Sequence, residues 1–179
     1  MDRREDTIAA LATAPGEGGV AIVRISGDKA REILSRAFLP AQKRKITPRR
    51  LTYGSLISET GEVLDEVMAV FLPAPHTYTR QDVAEIHCHG GRAAVESTLS
   101  RVCALGARPA EPGEFTLRAF LGGRIDLSQA EGVMSVISAG GQAARRAGMR
   151  QLTGGVTRQI ARLRDQLTAL LAQIEAADD

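Results

Sequence analysis

Apolar and polar positions change rhythm near Gly113. Before it, short apolar runs alternate or cluster between turn residues. Val20 to Ser26 (VAIVRIS) has period two and predicts a strand, and Ile8 to Ala12 predicts another ahead of it. Pro15-Gly16-Glu17-Gly18-Gly19 separates them, a turn whose glycines permit positive φ. Asp28 to Phe38 places Ala30, Ile33, Leu34 and Ala37 on one helical face. Leu51 to Ser58 and Val67 to Leu72 read as strands joined around Gly61. Pro73 to Thr79 is a loop, because two prolines exclude a helix. Val83 to Cys88 is a further strand, broken by Gly90-Gly91. Ala93 to Leu105 is a helix closed by Gly106.

Beyond Gly113 the steps are those of helices. Phe115 to Leu121 predicts a short helix ended by Gly122-Gly123. Ser128-Gln129-Ala130-Glu131 has capping-box spacing, with helix expected to about Ala139. Apolar residues at 152, 156, 160, 163, 167, 170, 171 and 174 form one long stripe, read as a single helix over 142–179. Little in the sequence is left for it to pack on, so it calls for a second copy or for more of a larger helical domain. All seven prolines lie at or before Pro112 and all six aromatics at or before Phe120. The expected fold is an α+β domain over 1–118, a mixed sheet with packed helices. An all-α segment follows over 119–179.

Composition narrows the function classes. The chain has 179 residues, 44% hydrophobic and 25% charged, as a soluble globular protein does. A net charge of +2 does not suggest a nucleic-acid coat or a membrane-surface peptide. No apolar run approaches the roughly 20 residues of a membrane span. The leading residues mix acids with bases and Pro15-Gly16 follows, against a signal peptide. Cys88 and Cys103 then read as a reduced pair in a cytoplasmic protein. There are three lysines, Lys29, Lys43 and Lys45, and none follows a glycine. Nucleotide binding through a P-loop is therefore not expected. Gln42 to Arg50 holds five bases and no acid, a solvated loop.

The densest polar cluster is Glu85-Ile86-His87-Cys88-His89-Gly90-Gly91. On a strand Glu85 and His87 share a face while Ile86 and Cys88 point away. Three readings stay open at this point. A metal site from His87, His89 and Cys88 lacks a full ligand set on one face, and only His76 and scattered carboxylates remain to complete it. A strand end with a Gly-Gly turn is the structural alternative. A ligand pocket would combine the Glu85 carboxylate with helix N–H groups after Gly91. Arg24 stands inside an otherwise apolar strand, which is costly unless it is paired, at a pocket mouth, or on the solvated side of an edge strand. Arg24 and Glu85 are candidates to pair or to bracket one ligand. Arg124, in a tight turn, is free to reach outward. Between Gly140 and Arg164 lie six arginines and no acid, either a solvated helix face or contacts for RNA phosphates.

Four blocks resemble the tRNA modification GTPase family MnmE (also called TrmE). They are Asp6-Thr7-Ile8-Ala9-Ala10 with Pro15-Gly16-Glu17-Gly18-Gly19-Val20 and Arg24-Ile25-Ser26-Gly27; Glu85 to Gly91; Pro112-Gly113-Glu114-Phe115 with Arg118-Ala119-Phe120-Leu121; and Asp126-Leu127-Ser128-Gln129-Ala130-Glu131. Their order over residues 6–131 is more specific than any single motif. The resemblance implies an N-terminal α+β domain that binds a tetrahydrofolate derivative and dimerises. A central helical domain follows, interrupted by an inserted GTPase domain, and the family ends in a cysteine motif. This chain is then expected to be a fragment without GTPase activity of its own. GTP, Mg2+ and K+ would belong to the GTPase domain outside it.

The implied activity is modification at C5 of the wobble uridine of certain tRNAs, as a homodimer working with the flavoprotein MnmG (GidA). The implied one-carbon donor is 5-formyltetrahydrofolate or a related tetrahydrofolate. By motif position its contacts fall on Arg24, Glu85 and Arg124, the last where the family commonly carries lysine. A pterin presents a ring N–H beside an amino group, which a carboxylate such as Glu85 accepts together. No residue is an evident base or nucleophile for the uridine chemistry, so no catalytic residue and no metal ligand is assigned. The alternative is a module for dimer assembly and tRNA docking without functional folate binding. A stand-alone one-carbon transferase resembling the glycine-cleavage aminomethyltransferase is a third reading.

Overall fold

The structure, a computed structural model, describes residues 6–42 and 45–176. Lys43 and Arg44 of the basic loop, the residues before Asp6 and those after Ala176 lie outside the described residues. The chain divides into two compact units, Met1–Arg124 and Ile125–Asp179.

The first unit is built on a mixed seven-stranded sheet. Its strands are β1 (Ile8–Leu11), β2 (Gly18–Ser26), β3 (Phe38–Pro40), β4 (Thr52–Ile57), β5 (Val63–Leu72), β6 (Val83–Gly90) and β7 (Arg108–Pro109). The order is β3-β4-β5-β6-β2-β1-β7, with antiparallel neighbours except for β1 and β7. Helices α1 (Ala30–Ala37), α2 (Arg92–Ala104) and α3 (Glu114–Leu121) complete the unit.

Period-two alternation builds the core. Along β2, Ala21, Val23 and Ile25 are buried while Ile22 and Arg24 are half-buried. On β6, Ile86 and Cys88 are buried while Glu85 and His87 stand on the other face. Ile33 and Leu34 of α1 and Val102 of α2 close over Val23, Ile25, Ala69 and Ile86. Each fully buried Val, Leu or Ile among them stabilises the fold by about 1.5–3 kcal/mol. The opposite sheet face keeps Val20, Tyr53 and Met68 exposed.

Two strands escape the sequence pattern. β3 follows α1 directly and is only three residues long, too short for a period to register. β7 has two residues, and its pairing with Ile8 and Ala9 comes from a distant part of the chain. β5 also begins at Val63, earlier than expected, because Asp65 and Glu66 interrupt the apolar run without interrupting the pairing with β4.

The second unit contains α4 (Leu127–Ile137), α5 (Gln142–Leu152) and α6 (Gly155–Glu175). Two expectations are corrected here. The capping box of α4 is made by Asp126 and Gln129, not by Ser128 and Glu131. The Gln129 N–H donates to Asp126 Oδ1 at 2.8 Å, and the Asp126 N–H donates to Gln129 Oε1 at 3.0 Å. Aspartate caps as well as serine, and here it stands two residues earlier. The Thr157 hydroxyl first, then backbone N–H groups, hold the Asp126 carboxyl below its ordinary range.

The long stripe is likewise two helices, not one. Gly154 adopts φ 77°, a left-handed conformation that ends α5 before α6 starts. The step from Leu152 to Val156 is four residues whether or not the helix is continuous, so spacing alone did not reveal the break. α4 and α5 pack closely, and glycine permits it. A Cβ on Gly132 would lie 2.6 Å from the Leu152 nitrogen, and one on Gly148 would lie 3.0 Å from the Val136 nitrogen. Among the described residues no helix is long and apolar enough to cross a membrane.

Candidate functional site

Arg24 and Glu85 stand directly opposite each other on β2 and β6. The strand β2 lies inside the sheet, between β6 and β1, so the edge-strand reading of Arg24 does not hold. Its guanidinium donates from Nε to Glu85 Oε1 at 2.9 Å, and its terminal NH2 nitrogen lies 2.8 Å from the same oxygen. The other carboxylate oxygen, Oε2, lies 3.5 Å from His87 Nε2. The side chains of Arg24, Glu85 and His87 are 30%, 17% and 23% exposed, which puts the pair in a half-open position on the uncovered face. A carboxylate has about four lone-pair sites, so Glu85 keeps acceptor capacity toward that face. A shallow groove continues along it past Val20, Tyr53, Glu66, Met68, His87 and His89.

Arg124 sits elsewhere in the unit. Its guanidinium lies over the Tyr78 ring, 5.1 Å from the centroid. Among the described residues it makes no ion pair with Glu85. One helix reaches both places. From α3, Phe115 places its ring 5.9 Å from the Arg24 guanidinium, and Thr116 shares a 3.0 Å hydrogen bond with the Tyr78 hydroxyl. Structure thus brings Arg24 and Glu85 into contact and leaves Arg124 to a neighbouring cluster that α3 joins to theirs.

An ion cluster with a buried centre holds α3. Arg118 and Glu114 are 3% and 5% exposed and pair at 3.0 Å, one helical turn apart. Arg108 of β7 donates to both oxygens of Glu114, at 2.7 and 3.0 Å, and to Asp6 Oδ2 at 2.7 Å. Arg118 pairs with the Asp6 carboxylate and donates to the Asp6 carbonyl at 2.7 Å. The Arg108 guanidinium, helped by the Glu111 N–H and by Arg118, holds the Glu114 carboxyl down at about 2. In the sequence Asp6, Glu114 and Arg118 stand out only as parts of the motif blocks and of a short helix, and Arg108 not at all. The Glu114–Arg118 spacing was the available signal, but it is as common on solvated helices as on buried ones.

His87 and His89 do not converge with Cys88. Cys88 is buried on the core face, where its Sγ–H faces the Ala21 carbonyl at 3.6 Å and burial pushes the thiol up. His89 Nδ1 lies 2.6 Å from Asp65 Oδ1, and its backbone N–H donates to Asp65 Oδ2 at 3.0 Å. The hydrogen bond to Asp65 raises the His89 ring above its usual range. Among the described residues no group of three or more potential metal ligands clusters.

Fold and site define a mixed-sheet unit with a carboxylate–arginine site on its open face, followed by a helical unit. The family described as the GTP-binding protein TrmE N-terminus matches residues 7–124, and the MnmE helical domain matches residues 127–179. The chain belongs to this family. Proteins named tRNA modification GTPase MnmE are similar to it along nearly its whole length. That of Alkaliphilus oremlandii is 47% identical over 179 residues, covering 98% of this chain and 39% of that protein. That of Syntrophotalea carbinolica is 49% identical over 176 residues, covering 98% and 39%. That of Chloroflexus aurantiacus is 48% identical over 174 residues, covering 97% and 38%. The chain therefore spans about 39% of the length of the curated relatives it matches.

Proposed function

We propose that the sheet unit binds a tetrahydrofolate one-carbon carrier on its open face, with Glu85 as acceptor for the pterin. Arg24 fixes the carboxylate and offers remaining donors. Arg124 supplies a second positive group for the carbonyl or carboxylate end of the ligand. The observation that carries this reading is the Arg24–Glu85 pair itself. It is an ion pair on two interior strands, half-open, with one carboxylate oxygen left outside the arginine contact. A buried structural pair would saturate both oxygens, as Glu114 does. The residues suit the group: a carboxylate acceptor, guanidinium donors, and the rings of Phe115 and Tyr78 nearby.

In the same reading the chain is part of a cytoplasmic, homodimeric GTPase that modifies C5 of the wobble uridine in tRNA together with a flavoprotein partner. GTP, Mg2+ and K+ would act in a separate domain, and this chain would supply folate binding and dimer contacts. Membership of the family and the names of the relatives support this. The test is calorimetric titration of the chain with 5-formyltetrahydrofolate, with its solution mass measured alongside. Micromolar binding by a dimer is expected. Glu85→Ala should weaken it by at least about tenfold, since it removes a charge-assisted acceptor. Equal affinity in that variant would overturn the assignment. A well-folded dimer without folate affinity would favour the assembly and tRNA-docking module instead, whose motivating feature is the arginine-rich second unit.

A further inference from the structure

The geometry points to a docking surface for the phosphate backbone of RNA at the corner of α5 and α6. This inference rests on the reading of the chain as part of a tRNA-modifying protein, but its site and its test are separate from the folate site.

Six arginines and no acid lie between Gly140 and Arg164. On an ordinary solvated helix such charges are laced to acids one turn away. Elsewhere in this chain they are: Arg36 pairs with Glu32 and Arg92 with Glu96. Among the described residues of α5 and α6 only Arg164 has a carboxylate partner, its chain neighbour Asp165. Among the described residues Arg145, Arg146, Arg150, Arg158 and Arg162 pair with no carboxylate. Two of them are oriented by neutral groups. Arg146 donates to Gln142 Oε1 at 3.2 Å, and Arg158 donates to the Thr153 carbonyl at 2.7 Å. Neither contact neutralises the charge.

These guanidinium groups, none neutralised by a carboxylate among the described residues, form one surface. Arg145, Arg146 and Arg150 line one hollow, and Arg150, Arg158 and Arg162 line the next, so Arg150 joins them. Arg146 and Arg150, like Arg158 and Arg162, stand about 6 Å apart along a helix axis, within reach of successive phosphates of a strand. Gln151 and Gln159 add neutral donors and acceptors suited to sugar and phosphate oxygens. Like charges one turn apart repel each other, and a polyanion removes that repulsion.

No aromatic residue occurs after Phe120, so base stacking contributes nothing here. Binding through this surface is therefore electrostatic, tolerant of sequence and steep in salt. An anionic membrane would need an apolar edge beside the charge. α5 carries three of the arginines, with Met149 as its one large exposed apolar side chain among the described residues. On α6 the exposed Val156, Ile160 and Leu163 supply such an edge beside Arg158 and Arg162, so it is the α5 arginines that fit a phosphate backbone better than a bilayer, and competition by vesicles decides for α6.

The experiment measures binding of the 179-residue chain to a labelled, unmodified tRNA transcript by fluorescence anisotropy, between about 50 and 200 mM salt. The wild-type logarithmic salt slope should be about −4, as five phosphate contacts require. R146Q/R150Q/R158Q/R162Q should flatten the slope by about 3 and weaken binding at low salt by at least about 100-fold. The corresponding four Arg→Lys changes should keep the slope. R36Q/R92Q, which removes two exposed arginines of the sheet unit, should leave slope and affinity unchanged. Circular dichroism confirms that each variant keeps its helices. Three results overturn the inference: no tRNA binding by the wild type at low salt, an unchanged slope in the four-glutamine variant, or displacement of the tRNA by phosphatidylglycerol vesicles through the same arginines. Arginine-dependent tRNA binding by a chain that fails to bind 5-formyltetrahydrofolate supports this surface and removes the folate reading alone.

Discussion

Glu114 shows how far the surroundings of a single residue decide its chemistry. It is 5% exposed and accepts from Arg108, Arg118 and the Glu111 N–H. Glu85 has the same carboxylate on a half-open face with one arginine. The first is a structural anchor; the second keeps one oxygen outside the arginine contact and is the acceptor proposed for a ligand. Glu114→Gln would leave Arg118, itself 3% exposed, short of its buried counter-charge. A destabilisation of about 3–5 kcal/mol is expected, measured by denaturant unfolding at neutral pH. The same carboxyl sets an acid limit. Its native value is about 2 against an ordinary 4.5, so between those values the unfolded chain binds the proton and the native chain does not. Stability is fully present above pH 4.5 and falls as pH drops toward about 2, by up to about 3 kcal/mol from this group. Urea midpoints measured across that range should fall in the wild type and flatten in Glu114→Gln. Sequence alone placed Arg118 on a helix that began one residue after Glu114, and carried no sign that either was buried.

At the scale of elements, the helices α4 and α5 depend on what is missing from their contact. Gly132 and Gly148 are buried where the two backbones approach. Alanine is the better helix former by about 1 kcal/mol, so propensity alone would favour Gly132→Ala. The added Cβ would stand 2.6 Å from the Leu152 backbone nitrogen, which no rotamer change relieves. Overpacking of this kind costs about 1–3 kcal/mol, so net destabilisation of the helical unit is expected. Thermal unfolding followed by far-UV circular dichroism checks it, and a raised midpoint would contradict the close packing. The rhythm of apolar residues located β2, α1, β6, α2 and α4 close to where they fall, and found β5 short by its first four residues. It missed β3 and β7, whose few residues carry no period, and it ran α5 and α6 together. A break that preserves a four-residue step is invisible to spacing, and only the left-handed φ of Gly154 exposes it.

Across the whole molecule, stability is unevenly distributed. Strands β2 and β6 carry Val23, Ile25, Ala84 and Ile86 with no measurable exposure, whereas α6 has no buried residue. Ile160, Leu163 and Leu167 of α6 are 60–67% exposed. Amide hydrogen exchange of the chain at low concentration should therefore be slowest in β2 and β6 and fastest in α6. Uniform protection of α6 at that concentration would mean that its apolar stripe is covered. The sequence by itself determined the local periods: two for the strands, three and four for the helices, and with them the division into a mixed part and a helical part. Those are properties of neighbouring residues, and neighbours are what a sequence displays. It also held the ordered motif blocks that mark the family. The sequence offered Glu85 as a partner for Arg24, 61 residues away, but only the tertiary structure decided that the two meet, and that Asp6, Arg108, Glu114 and Arg118 form one ion cluster around the buried Glu114–Arg118 pair. It alone showed that, among the described residues, Arg145, Arg146, Arg150, Arg158 and Arg162 of α5 and α6 pair with no carboxylate. Pairing across a sheet and burial of charge depend on residues far apart in the chain, and no local pattern records them.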